Sequence, residues 1–199
     1  MQLVGSNTSP YTRRLRLLLE SHPETQVEFK AINYLEIPSD AQYLTSITPI
    51  NKLPILIDGE KKVFESRVIA QYLFKKYGWP DLSLDQENVL SMVDAANDVG
   101  VSFFMLKKSG FDIDSSSFYM DRQRERLVTL FSELEVWAKR QSETNPADWN
   151  YVTMSLLSYI GWADFRKMAD FSKHSGLSTF VARFSKKPGV AETAIPGAK

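Results

Sequence analysis

Asn51-Lys52-Leu53-Pro54-Ile55-Leu56-Ile57-Asp58-Gly59 is the stretch on which the fold turns. The unbroken apolar run from Leu53 to Ile57 has the length of a buried strand. Asp58-Gly59 then signals a tight hairpin before Lys61-Lys62-Val63-Phe64. Pro54 has no N–H to give to a ladder, so it belongs at a strand start, an edge or a bulge, and here it opens the run. After Phe64, the residues Glu65-Ser66-Arg67 lead into helical spacing at Ile69, Tyr72 and Leu73, and Gly78-Trp79-Pro80-Asp81 ends that helix. Ser66 reads as its N-cap, where free N–H groups attract a carboxylate. The plainer reading is a helix cap preceded by an exposed acid.

Upstream, Gln2-Leu3-Val4-Gly5 is a short strand candidate, and Ser9 is placed to cap a helix with Pro10 at its first position. Tyr11, Leu15, Leu18 and Leu19 form one apolar face. Arg13, Arg14 and Arg16 read as a solvated face with no assigned role. His22-Pro23 stops the helix, Val27, Phe29 and Ala31 alternate as a second strand, and 39–47 forms a weak, short helix. This order of βαβ, then α, then ββα predicts a thioredoxin-like α/β layer with helices on both faces of a mixed sheet. From about Asp85 the pattern is all-α. Leu127, Leu130, Phe131, Leu134, Trp137 and Ala138 make one clear stripe, and Leu177, Phe180, Val181 and Phe184 a shorter one. The expected division is an α/β domain at 1–78 and an all-helical domain at 86–199, with the segment after Lys187-Pro188-Gly189 loose or packed as extended chain.

Composition narrows the function classes. The chain has 199 residues, 43% hydrophobic and 24% charged, within the range of ordinary globular proteins. Lys+Arg and Asp+Glu are 24 each, so no global field favours nucleic acid or an anionic membrane. No continuous apolar run approaches the roughly 20 residues of a bilayer span. Met1-Gln2-Leu3-Val4-Gly5 lacks the basic and apolar regions of a signal peptide, and a cytoplasmic setting is the simplest reading. There is no cysteine, which removes disulfides, thiolate metal sites and Cys-x-x-Cys redox chemistry. His22 and His174 stand in no metal-ligand spacing, so no metal is expected.

Taken in order, these segments resemble the soluble glutathione S-transferase superfamily, in particular a small bacterial member. The resemblance rests on Leu3-Val4-Gly5-Ser6, Thr8-Ser9-Pro10-Tyr11 and Arg14, on Thr48-Pro49 through Lys52-Leu53-Pro54, and on Phe64-Glu65-Ser66, Ile69 and Tyr72-Leu73. It is strong to about Tyr77 and diffuse beyond, where Gly161-Trp162-Ala163-Asp164-Phe165-Arg166 is similar to bacterial members.

The resemblance implies that Pro54 is cis and that the Leu53 backbone pairs with a peptide ligand. It implies that Glu65 takes the ammonium of a γ-glutamyl group, that Ser66 with backbone N–H takes its carboxylate, and that Lys52 meets the glycine carboxylate. Ser9 becomes the candidate catalytic hydroxyl that donates to the glutathione sulfur, whose free thiol pKa is about 8.5. Thr8 and Tyr11 are rivals for that contact, and a Ser before a Pro is equally a good helix start. Val99, Val101, Phe103, Phe104 and Met105 would wall an acceptor pocket, with Asn97, Asp98 and Tyr159 as polar candidates.

The implied reaction is attack of glutathione, as co-substrate, on a small hydrophobic electrophile, or reduction of a peroxide. The implied protein is a cytoplasmic, homodimeric detoxification enzyme. A glutathione-binding or regulatory protein with little turnover is the alternative. One departure stands out: the second domain's buried helix should open with a Ser or Thr cap and an Asp three residues on, and Asn150-Tyr151-Val152-Thr153 stands there instead.

Overall fold

A four-stranded mixed sheet organises the first part of the chain. Its strands are β1 (Gln2–Gly5), β2 (Glu28–Ala31), β3 (Ile55–Asp58) and β4 (Lys61–Phe64), in the spatial order β2-β1-β3-β4. The computed structural model describes residues 1–197. Helix α1 (Pro10–Glu20) makes the crossover between the parallel pair β1 and β2. Helix α2 (Pro38–Ile47) leads into β3, and the Asp58-Gly59 hairpin joins β3 to antiparallel β4 before α3 (Ser66–Tyr77). This is the expected βαβαββα order.

Side chains on β1 and β3 alternate between the two faces of the sheet. Val4 and Ile55, paired across β1 and β3, join Ile32 and Leu44 in a core that Tyr43 and Ile47 of α2 cover. Their neighbours Leu3 and Leu56 are fully buried, on the face opposite that core. Helices α1 and α3 pack against each other. At the β1–α1 junction a Cβ on Gly5 would come within 2.3 Å of Thr12 Cγ2, so only glycine lets the helix start this close to the strand.

Helical unit and C-terminal segment fall into separate bodies: one unit comprises Met1–Leu82 with the segment from Pro188, the other Ser83–Lys187. The segment was expected to be loose or extended. Instead it turns, buries Val190, Thr193 and Ile195, and joins the first unit. The cause lies in α1. Arg13 donates from Nη2 to the Val190 carbonyl at 3.2 Å and from Nε to Thr193 Oγ1 at 3.4 Å, and Arg16 donates to the Glu192 carbonyl at 3.1 Å. Burial, then the neighbouring Arg16, pulls the Arg13 guanidinium below its ordinary pKa.

The second unit packs α4 (Leu84–Lys108), α5 (Phe118–Lys139), α6 (Tyr151–Phe165) and α7 (Ser175–Phe184). Helix α4 lies against α5 and α6, and α5 and α6 both touch α7. Although α4 has no long continuous apolar run, it is apolar enough by length and composition to cross a membrane. Here it buries Val89, Leu90, Val93, Ala96, Val99 and Phe103 as a core helix. Helix α6 is buried on nearly every side, and Ser155 and Ser158 return their hydroxyl protons to the carbonyls four residues back. Asn150 caps α6, accepting from Val152 N–H at 3.0 Å and Thr153 N–H at 3.2 Å. Thr153, standing where the resemblance implied an Asp, gives its hydroxyl to the Asp148 carbonyl at 2.5 Å.

Candidate functional site at one end of the sheet

Strand register decides which loops are neighbours. Val4 pairs with Ile55, and Ile55 pairs with Phe64. The end of β1, the start of β3 and the end of β4 therefore lie side by side. Three segments leave the sheet from that one end: Ser6 to Ser9, Lys52 to Pro54, and Glu65-Ser66.

In the first, the Ser9 side chain accepts the Thr12 N–H at 3.2 Å and caps α1, with Pro10 as the first helical residue. The loop before it is tied by Thr8 N–H to Ser6 Oγ at 3.3 Å and by the Ser6 and Thr8 hydroxyls at 3.2 Å. Ser9 keeps its hydroxyl proton for a further acceptor, and the N-terminus of α1 favours negative charge beside it. Tyr11 is half-buried, with the Arg14 guanidinium 5.4 Å from its ring centroid.

In the second segment the Leu53–Pro54 bond is cis. Leu53 is half-buried against the core under α2, Pro54 is buried and Lys52 is exposed. Asn51, in the left-handed region at φ 50°, makes the turn into Lys52.

The third segment differs by one residue from its expected form. Glu65, not Ser66, is the N-cap of α3: it stands at φ 64°, ψ 126°, and its carbonyl accepts the Ile69 N–H at 2.9 Å. A non-glycine residue held there costs on the order of 1–3 kcal/mol, the kind of strain that gathers at ligand sites. Ser66 is the first helical residue, and its hydroxyl oxygen accepts from Arg14, from Nε at 3.1 Å and Nη2 at 2.6 Å.

Arg14 therefore does not belong to a solvated face. It is 2% exposed and Ser66 is 1% exposed. A sequence signal for it existed: Arg14 stands three residues after Tyr11 and four before Leu18, a charged residue on the apolar side of α1.

The acceptor-wall candidates separate by burial. Val99 and Phe103 belong to the core of the helical unit, whereas Val101 and Phe104 are half-buried and Met105 is exposed. The Phe104 ring meets Trp162 edge-on at 5.9 Å, with the Arg166 guanidinium 4.7 Å from its centroid. Asp98 is exposed and Tyr159 is buried, which raises its phenol pKa. Asn97 is fully buried, and neither its Oδ1 nor its Nδ2 has a hydrogen-bond partner within the protein.

Comparison with known proteins agrees with this architecture. Residues 1–75 match the family model for the glutathione S-transferase N-terminal domain. The GST-like protein YibF of Escherichia coli K12 is 27% identical over 179 residues, 85% of each chain. Glutathione S-transferase D7 of Drosophila melanogaster is 26% identical over 196 residues, covering 94% of this chain and 84% of its own. A glutathione transferase family member from Pseudomonas fluorescens Pf-5, solved with bound glutathione, superposes with a TM-score of 0.79 at 20% identity over 98% of each chain. In sequence the first domain is similar to the N-terminal domain of the glutathione S-transferases, and along its length the chain shares the fold of solved glutathione transferases.

Proposed function

We propose that the chain is a glutathione transferase-like enzyme that binds glutathione at the end of the sheet described above and activates its thiol. The observation that carries this is the convergence of Ser9, Leu53-Pro54 and Glu65-Ser66 on that one end through the Val4–Ile55–Phe64 register. The set offers a group for each part of a γ-glutamyl tripeptide. The first turn of α3 with Ser66 suits the carboxylate, Glu65 the ammonium, the Leu53 backbone the central peptide and Lys52 the terminal carboxylate. Glutathione bound to the related Pseudomonas protein supports the ligand class.

Chemistry at the sulfur needs the thiolate, because a thiol of pKa about 8.5 is mostly protonated at neutral pH. The Ser9 hydroxyl, donating to the sulfur beside the N-terminus of α1, favours the ionised form, and the displaced proton passes to solvent. The thiolate then forms a carbon–sulfur bond with a small hydrophobic electrophile as the leaving group departs with its electron pair. A homodimer is the expected assembly, and sedimentation of the purified chain reads it directly.

Calorimetric titration with glutathione, followed on the same sample by conjugation of chloro-dinitrobenzene, tests the reading. Binding with turnover that falls in Ser9→Ala is the expected result. Binding without turnover would reduce the protein to a glutathione binder, and no binding at millimolar glutathione would overturn the assignment.

A further inference from the structure

We propose that Arg16 is a positioning residue for the reactive end of the site: bonded to Asn7 on one side and to the Glu192 carbonyl on the other, it fixes the turn that carries Ser9. The role rests on the glutathione reading above and adds to it a brace that runs from the C-terminal segment to the Ser9 hydroxyl.

The Ser9 N–H donates to the Ser6 carbonyl at 3.2 Å, closing a four-residue turn with Asn7 and Thr8 at its centre. Both ends of the turn are tied to α1, by Ser6 N–H to Thr12 Oγ1 at 3.3 Å and by Thr12 N–H to Ser9 Oγ at 3.2 Å. An asparagine in a turn is otherwise able to fold its side chain onto nearby backbone. Here Arg16 Nη1 donates to Asn7 Oδ1 at 3.2 Å. A guanidinium only donates, so it selects the amide oxygen and one orientation of the Asn7 side chain. The reach is built into the helix. Side chains on α1 lean toward its N-terminus, so the long Arg16 comes back to the loop before the first turn.

Arg16 is itself held from two other directions. Its Nη2 donates to the Glu192 carbonyl at 3.1 Å, and the guanidinium lies 4.4 Å from the centroid of the Phe29 ring on β2. Burial lowers its pKa, against the attraction of Glu20. It is therefore a partly desolvated cation that keeps the acceptors the fold supplies, unlike a surface ion that exchanges them with water. A planar fork holds Asn7 and Glu192 at once, one nitrogen to each, where lysine brings a single nitrogen. Hydrogen bonds weaken steeply as their angle degrades, so a turn released at Asn7 presents Ser9 less well to a sulfur.

The test is an ultraviolet thiolate titration of glutathione bound to the full chain, with calorimetry on S-methylglutathione, which has no thiol to ionise. Asn7→Ala and Arg16→Met are each expected to raise the thiol pKa of bound glutathione by about 0.5–1 and to leave S-methylglutathione affinity within about twofold of wild type. In an Asn7→Ala background Arg16→Met is expected to add little, because both remove the same contact. Should Arg16→Met fail to melt cooperatively, Arg16→Gln takes its place in the same cycle. Additive shifts would show that Arg16 acts through its charge alone and would overturn the positioning role. A shift in neither single variant or in only one of them, or S-methylglutathione weakened as strongly as glutathione, would overturn it too and leave glutathione binding standing. A Ser9→Ala chain whose bound thiol titrates as in the wild type would remove Ser9 from the chemistry, and Arg16 with it. A wild-type chain that binds no glutathione would overturn the parent reading itself.

Discussion

At Ser9 the hydroxyl oxygen already accepts the Thr12 N–H, so two roles share one atom and must be separated. Ser9→Ala is expected to destabilise the protein by about 0.5–2 kcal/mol through the lost cap and to raise the thiol pKa of bound glutathione. Ser9→Asn restores a capping oxygen without a hydroxyl. It should recover the melting temperature and leave the thiol pKa high in an ultraviolet thiolate titration; a normal thiol pKa in Ser9→Asn would remove Ser9 from the chemistry. Ser66→Ala should weaken glutathione binding by about 1–3 kcal/mol, and unchanged affinity would remove Ser66 from the site. Ser9, Pro54 and the Glu65-Ser66 pair were readable in the sequence because caps and prolines answer to local backbone rules. Arg14 escaped notice because an arginine on a short helix is ordinarily solvated, and its partner lies 52 residues away. The one-residue offset at Glu65 has a similar cause. Nothing local in Glu65-Ser66 announces the positive φ found where β4 gives way to α3.

Among the helices, the junction of α5 with α7 makes a pH-dependent contact. His174 precedes α7 without capping it through its side chain, and Glu135 of α5 supplies the missing acceptor. Its Oε1 takes the Gly176 N–H at 2.9 Å and Lys139 Nζ at 3.0 Å, while Oε2 lies 2.9 Å from His174 Nδ1. The Gly176 N–H first, then His174 and Lys139, hold the Glu135 carboxyl down at about 2. A carboxyl lowered on folding stabilises the protein above its unfolded value, near 4.5, and loses that contribution as pH falls toward about 2. Thermal midpoints measured between about pH 5 and pH 2 should therefore fall more steeply in the wild type than in Glu135→Gln. Parallel slopes would show that the contact contributes nothing. Gly176 belongs to the same arrangement, since an added Cβ would lie 2.6 Å from Lys139 Cε and 2.8 Å from Glu135 Cγ. The apolar stripes of α5 and α7 were legible from their period. This carboxylate was not, because a cap supplied from another helix leaves no mark in either helix's own pattern.

At the scale of the whole chain, the feature composition concealed is that the first unit is discontinuous. Val190 and Thr193 complete the hydrogen bonding of buried Arg13, so removal of the segment from Pro188 leaves a desolvated cation short of two acceptors. The expected cost is roughly 1–3 kcal/mol for each acceptor, read as faster amide exchange in α1 with the rates of α4 to α7 unchanged. Exchange accelerated equally everywhere, or unaltered in α1, would contradict it. Residues Ser83–Lys187 are in effect an insertion between the two parts of the other unit. On the ribosome, then, the order of completion reverses the order of the sequence. The helical unit has every residue it requires before Pro188 is added, while the sheet unit, whose strands are made first, waits with Arg13 unsatisfied until the last piece of its own structure is translated.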